Sequence, residues 1–339
     1  MMGQTLSNMP GRQPVCVRVC ACMRVRARMC VCLVAVLVLA WLLIYGSLLG
    51  QDSPTRLHQA FLLSQHVRSY PVLHRPRACP PPAALLLAVK SLPSHMEQRA
   101  AVRGTWGQER RIGGRDVRRV FLLGQMGDED AAVDAESHRY GDILQWDFRD
   151  SFFNVTLKEV LFWRWFQEEC SASYVLKADD DVFVDVGGVL VLIGHHRPGP
   201  SHPLYLGRAF VDTYPVRLWW NKYYVPASLY PAKPYPPYMG GGGYLVSQET
   251  IRKLLVASAS MPMFPIDGVY VGMCAQAANV SATHHPAFMP FEFSPSLPPC
   301  TYLGLLVIHR LEPGQIHQLW SFYTSQAHTC PPVTPAPTL

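Results

Sequence analysis

The chain has 339 residues, of which 49% are apolar and only 16% charged. This composition excludes a solvated, disordered chain and supplies enough apolar surface for a large core, as in one α/β domain of about 250 residues with appendages. Most of the net charge of +6 comes from Arg12, Arg18, Arg24, Arg26 and Arg28, the only charged side chains before residue 51; without them the rest stands at +1. A nucleic-acid binder concentrates basic residues on its folded domain, so nucleic acid is excluded as a partner.

The arginines, in a predicted cytosolic tail over 1–30, precede "VCLVAVLVLAWLLIYGSLLG" at 31–50. This run has no formal charge, and at about 1.5 Å per residue it is long enough to cross roughly 30 Å of hydrocarbon. It exceeds the usual apolar region of a cleaved signal peptide and lacks a clear cleavage site, so it reads as an N-terminal transmembrane signal-anchor. Positive charge on its amino side predicts type II orientation, with the C-terminal bulk across the bilayer. Cys16, Cys20, Cys22, Cys30 and Cys32 lie in or before the span; Cys79, Cys170, Cys274, Cys300 and Cys330 lie beyond it. Five is odd, so one of the latter stays a thiol or pairs with another chain in a homo- or hetero-oligomer. Two sequons, at Asn154 and Asn279, are usable on that side of the membrane.

Residues 51–78, with Pro54, Pro71 and Pro76, read as a stem. Beyond it strands and helices alternate. Strand-like segments fall at 83–92, 117–124, 142–148 and 174–184, with helical ones at 94–107, 128–140 and 155–170. Such alternation predicts an α/β fold with a mainly parallel sheet flanked by helices, and ligands beyond the carboxyl ends of its strands. An apolar helix follows Gly188, then the strand "PLYLGRA" and a long aromatic and proline-rich segment from Tyr214 to Tyr238. The domain is expected to span 79–325, leaving a disordered tail at 326–339.

The strongest chemical signal is Asp179-Asp180-Asp181, placed directly after the apolar "YVLKA". Adjacent carboxylates repel, so a fold that gathers them normally supplies a hard divalent cation, which takes oxygen ligands and bridges to substrate phosphates. Alternation in an extended chain turns Asp179 and Asp181 to one side and Asp180 to the other.

Five segments, "LLLAVKSLPSHMEQRAAVRGTWG", "ESHRYGDILQWDFRDSFFNVTLKEV", "YVLKADDDVFV", "YPPYMGGGGYLVS" and "FPIDGVYVGMC", occur in the order found in the β-1,3-glycosyltransferase family. The chain resembles that family over about 79–320, and most closely its β-1,3-N-acetylglucosaminyltransferase branch. The resemblance implies a GT-A type, Rossmann-like nucleotide-sugar fold, inverting Mn²⁺-dependent transfer, a Golgi address, a UDP-sugar donor such as UDP-N-acetylglucosamine, and a glycan acceptor on glycoprotein or glycolipid. Carried over by position, its metal motif falls on Asp179, Asp180 and Asp181, and a C-terminal histidine that completes the metal site falls on His309. Arg99, Arg103 and Trp106 fall near the nucleotide. The two arginines, four residues apart on a helix, share a face and could donate to diphosphate or merely be solvated. Lys158 could neutralise phosphate. Gly241, Gly242 and Gly243, in a run of four, could let backbone approach the donor sugar. Trp219, Trp220, Tyr223 and Tyr224 fit either stacking on acceptor sugars or core packing.

Inverting transfer also needs a carboxylate to take the proton from the attacking hydroxyl. The family carries an acidic pair before "V-Y/F-x-G"; here it reads Asp267-Gly268. Asp267 is the remaining candidate base, and the broken pair admits a second expectation, a UDP- or glycan-binding protein with impaired turnover.

Overall fold

The computed structural model describes residues 31–43, 69–77, 83–196, 199–231, 233–292, 297–326 and 329–330. The chain divides into two units, Met1–Arg56 and Leu57–Leu339. In the first, residues 31–43 are helical with exposed apolar side chains. Among the described residues no helix is long and apolar enough to cross a membrane. The expected tail at 1–30, the last seven residues of the expected span at 44–50, most of the stem, Cys79 and residues 331–339 lie outside the described residues.

In the second unit, β1 (Val72–His74) and β2 (Ala83–Lys90) precede α1 (Met96–Gly104). There follow β3 (Arg110–Ile112), β4 (Arg115–Gln125), α2 (Asp130–Tyr140), β5 (Ile143–Arg149), α3 (Val155–Glu169) and β6 (Ala172–Asp179). The chain continues through β7 (Val182–Val184), α4 (Val186–His195), β8 (Tyr205–Phe210), β9 (Tyr238–Ser247), α5 (Gln248–Ser258) and α6 (Asp267–Ala277). It closes with β10 (Ala282–His284), β11 (Phe288–Glu292), β12 (Val307–His309) and α7 (Pro313–Ser325).

The larger sheet runs β1-β5-β4-β2-β6-β9-β8-β10, with β3 beside β4; a smaller one runs β11-β12-β7. The expected parallel arrangement holds for the central β5-β4-β2-β6. Past β6 the sheet turns mixed: β9 is antiparallel to both β6 and β8. This corrects the mainly parallel expectation. Glycine is depleted from strands, yet Gly240–Gly243 lie inside β9: Gly243 pairs with Ala178 of β6, while the ladder to β8 shifts register across the run, between the pairs Ala209–Met239 and Gly207–Tyr244.

The apolar run of β2 is buried on both faces. Leu86 and Ala88 join one core with Phe162 and Phe166 of α3, Leu254 of α5 and Tyr270 of α6. Leu85, Leu87 and Val89 join the other, with Val102 of α1, Leu190 of α4 and Leu319 of α7. Each fully buried leucine contributes roughly 1.5–3 kcal/mol, so the two cores pin β2 and β6 firmly and with them the residues at their carboxyl ends. Asp180 and Asp181 form the turn by which the chain leaves the large sheet at β6 and enters the small one at β7.

Cys300 and Cys330 form a disulfide, Cys170 is disulfide-bonded, and Cys274 is a fully buried thiol on α6. Cys274 is 0% exposed, which places its thiol out of reach of a cysteine on another chain.

Candidate active site

A cavity of about 780 Å³ opens at the carboxyl ends of β2 and β6, lined among others by Lys90, Asp179, Asp181, Asp267, Gly268 and His309. Parallel pairing sets Lys90 level with Asp179, and antiparallel pairing sets His309 opposite Val182, one residue past the aspartates. Two sheets therefore deliver the groups that sequence spacing cannot relate.

The Nε2 of His309 lies 3.3 Å from Asp181 Oδ1 and 3.7 Å from Asp179 Oδ2. These three side chains can present ligand atoms within 4.8 Å of one another. Asp181 Oδ1 is buried and receives no hydrogen bond, as a ligand oxygen would be left. Two carboxylates and one imidazole fit a hard or borderline divalent ion such as Mn²⁺ or Mg²⁺. Asp180 turns the other way, as alternation predicts: its Oδ2 accepts from Ser91 Oγ at 2.6 Å and lies 2.9 Å from His95 Nδ1. That carboxylate holds the His95 imidazole above its ordinary pKa against partial burial.

Gly242 explains part of the glycine run. Its φ is +92°, and a Cβ there would sit 2.8 Å from His309 Cγ. Its N–H donates to Asp179 Oδ2 at 3.2 Å. Only glycine meets both demands, so Gly242 seats the histidine and aligns the aspartate from behind the cavity. Gly241 lines the cavity itself, while Gly243 pairs with Ala178.

Lys90 is a site residue that sequence reasoning missed, although a lysine ending a buried parallel strand was the available signal. Its Nζ lies 3.0 Å from Asp179 Oδ1 and donates to Asp267 Oδ2 at 2.6 Å. Burial alone would lower the ammonium's pKa, but Asp179, Asp267 and Glu159 outweigh it and hold it well above the usual lysine value. Asp179 is the converse: burial would raise its carboxyl, and Lys90 and His309 bring it below the usual range. Asp267 is the first residue of α6, where the helix dipole favours a carboxylate. One of its oxygens is engaged by Lys90, and its side chain remains 25% exposed. At Gly268 a Cβ would meet Met239 O at 3.0 Å and the Tyr238 ring at 3.4 Å, so β9 packs close against this position.

The expected nucleotide arginines lie elsewhere. Arg99 is fully buried and bonds Glu136, Ser91 Oγ, Pro93 O and Leu92 O. Arg103 pairs with Glu136 and with Asp142, and stacks over Phe121 and Tyr140. Trp106 is buried, its indole N–H donating to Val182 O at 2.8 Å. None of the three lines the cavity; their donors are committed inside the fold. Arg99 reaches the motif indirectly, through Ser91 and through His95, both of which bond Asp180. Lys158 does reach the cavity, but its ammonium lies 2.7 Å from Asp150 Oδ2 and donates to Ser91 O. Trp219 and Trp220 are exposed at 60% and 61%, which settles the core alternative against them.

The galactosyltransferase family model matches residues 97–286. The human N-acetyllactosaminide β-1,3-N-acetylglucosaminyltransferase 4 is 42% identical over 287 residues, covering 82% of this chain and 74% of that one. The mouse acetylgalactosaminyl-O-glycosyl-glycoprotein β-1,3-N-acetylglucosaminyltransferase is 41% identical over 295 residues, covering 82% and 75%. The bovine UDP-GlcNAc:βGal β-1,3-N-acetylglucosaminyltransferase 9 is 39% identical over 291 residues, covering 77% and 72%. With the matched segment enclosing the aspartate triplet, the glycine run and Asp267, the chain belongs to the galactosyltransferase family.

Proposed function

We propose that this protein transfers N-acetylglucosamine from UDP-N-acetylglucosamine, with inversion, to the 3-hydroxyl of a galactose-terminated glycan, on a GT-A type fold held in the Golgi membrane as a type II protein. The observation that carries the reading is the meeting of Asp179, Asp181 and His309 with Asp267 and Lys90 on one cavity wall. A Mn²⁺ ion held by Asp179, Asp181 and His309 would neutralise charge on the leaving diphosphate. Asp267 takes the proton of the attacking hydroxyl. Lys90 fixes the rotamer of Asp267 and spaces its carboxylate from that of Asp179, and Asp180 locks the turn through Ser91 and His95.

A second reading, UDP and glycan binding without turnover, is favoured by one feature: position 268 offers no carboxylate and β9 has closed against it. Loss of a positioned base costs roughly 10²–10⁴ in rate while leaving binding possible. The full-length protein in detergent is assayed with UDP-N-acetylglucosamine or UDP-galactose, Mn²⁺ and lactosamine or O-glycan acceptors, beside Asp267→Asn and Gly268→Asp. Transfer from UDP-N-acetylglucosamine that collapses in Asp267→Asn supports the enzyme. No transfer by the natural chain, with activity gained in Gly268→Asp, would sink it. In either case Mn²⁺ with UDP is expected to raise Tm, and the rise to vanish in Asp181→Ala.

A further inference from the structure

Between β8 and β9 the segment 216–225 makes a closed excursion at the cavity rim. Its neck is tied by a bridge between Val216 and Tyr224 and by the Val225 N–H donating to Val216 O at 3.0 Å. The Arg217 guanidinium donates to Val225 O and Tyr230 O. Turn bonds run from Asn221 N to Leu218 O and from Tyr224 N to Asn221 O, both at 2.9 Å. The inner side of the loop belongs to the cavity, through Val216, Lys222 and Tyr223. Its tip carries Trp219 and Trp220 edge to face, 5.7 Å between centroids, both open to solvent, next to half-exposed Leu218.

A tied loop that holds two indoles and a leucine in water presents a contiguous apolar patch, and such patches mark recognition sites. Its position decides the occupant. Trp219 stands three residues from each of Val216 and Lys222, so it lies within about 10 Å of the cavity lining. The charge pattern argues against an anionic lipid surface. Arg217 is spent on carbonyls, and Lys222 is drawn over the rings of Phe152 and Tyr223, back toward the cavity. What remains facing outward is aromatic surface of the kind that stacks on the apolar face of a pyranose.

We infer that Trp219 and Trp220 form an outer acceptor subsite, binding sugars of the glycan chain beyond the one that receives the transfer, so that acceptors of several sugars are preferred to a disaccharide. This rests on the acceptor reading above. The test titrates the full-length protein, saturated with UDP and Mn²⁺, with N-acetyllactosamine and with a hexasaccharide of three lactosamine repeats, by calorimetry. The hexasaccharide is expected to bind about tenfold tighter than the disaccharide, the gain two aromatic contacts supply. That ratio should fall to near one in Trp219→Ala/Trp220→Ala and recover in Trp219→Phe/Trp220→Phe, with the Tm rise on UDP and Mn²⁺ retained in both. A ratio that stays the same in the alanine variant overturns the subsite while leaving the acceptor reading intact. So does an unaltered ratio accompanied by loss of binding to phosphatidylserine vesicles, or of a dimer, which would assign the patch to a membrane or to a second copy. If neither glycan binds the UDP-loaded natural chain, the acceptor reading fails and the subsite with it.

Discussion

Replacing Lys90 with methionine keeps the volume and removes the ammonium that stands between Asp179 and Asp267. The two carboxylates, 27% and 25% exposed at the side chain, then face each other across the cavity wall. Stripping a buried ion pair of one partner costs about 3–5 kcal/mol, and partial exposure here argues for the lower end, about 3 kcal/mol. For a unit of this size that is a fall in Tm of roughly 6–12 °C at pH 7 in the absence of metal, read by calorimetry. The pH dependence carries the sign. Asp179 has a folded pKa below its unfolded one, so its contribution is present above the unfolded carboxylate range and lost as pH falls through the folded value. Lys90 has its pKa raised, so its contribution is complete throughout neutral pH and fades only in strong alkali. The gap between natural protein and variant should therefore be widest from about pH 5 to 9 and narrow in acid. A Tm change under about 2 °C at pH 7, or a gap as wide at pH 3 as at pH 7, would refute the clamp.

Three further outcomes are expected. Arg99→Ala, which leaves Glu136 buried without its main partner, should lose about 3–5 kcal/mol in denaturant unfolding with no selective loss of UDP affinity; full stability with weakened UDP binding would return Arg99 to the nucleotide. Gly242→Ala must strain a left-handed φ, at about 1–3 kcal/mol, and push His309 aside, so the Mn²⁺-dependent Tm rise should shrink more than the metal-free Tm; an unchanged rise counts against His309 as a ligand. Burial lowers the Lys177 ammonium to about 8 even though Glu159 opposes the shift. Between pH 8 and the unfolded lysine value, the unfolded chain thus holds the extra proton, stability rises with pH, and Lys177→Met should flatten that rise; equal slopes would show that Lys177 does not carry it.

The aspartate triplet illustrates what could be read in advance. Charge repulsion among three carboxylates at the end of an apolar strand pointed to them as candidate cation ligands, and alternation separated Asp180 from its neighbours even though the chain turns there. The arginines show the opposite. Spacing on α1 correctly put Arg99 and Arg103 on one face, but it could not say whether that face met solvent, ligand or the carboxylates of Glu136 and Asp142, which arrive from elsewhere in the chain.

Composition and periodicity were enough to determine an α/β domain and to single out Asp179 and Asp181, and the resemblance carried by the order of short segments added the family and the candidates His309 and Asp267. Only the tertiary structure decided their relations. Register between β2 and β6 brings Lys90 to Asp179, pairing of β12 with β7 brings His309 to the aspartates, and the close approach of β9 at Gly268 gives the broken acidic pair a packing consequence. These are contacts between residues far apart in the chain. Local physical chemistry specifies what each side chain can do, whereas the partner it meets depends on how the sheets close around their two cores.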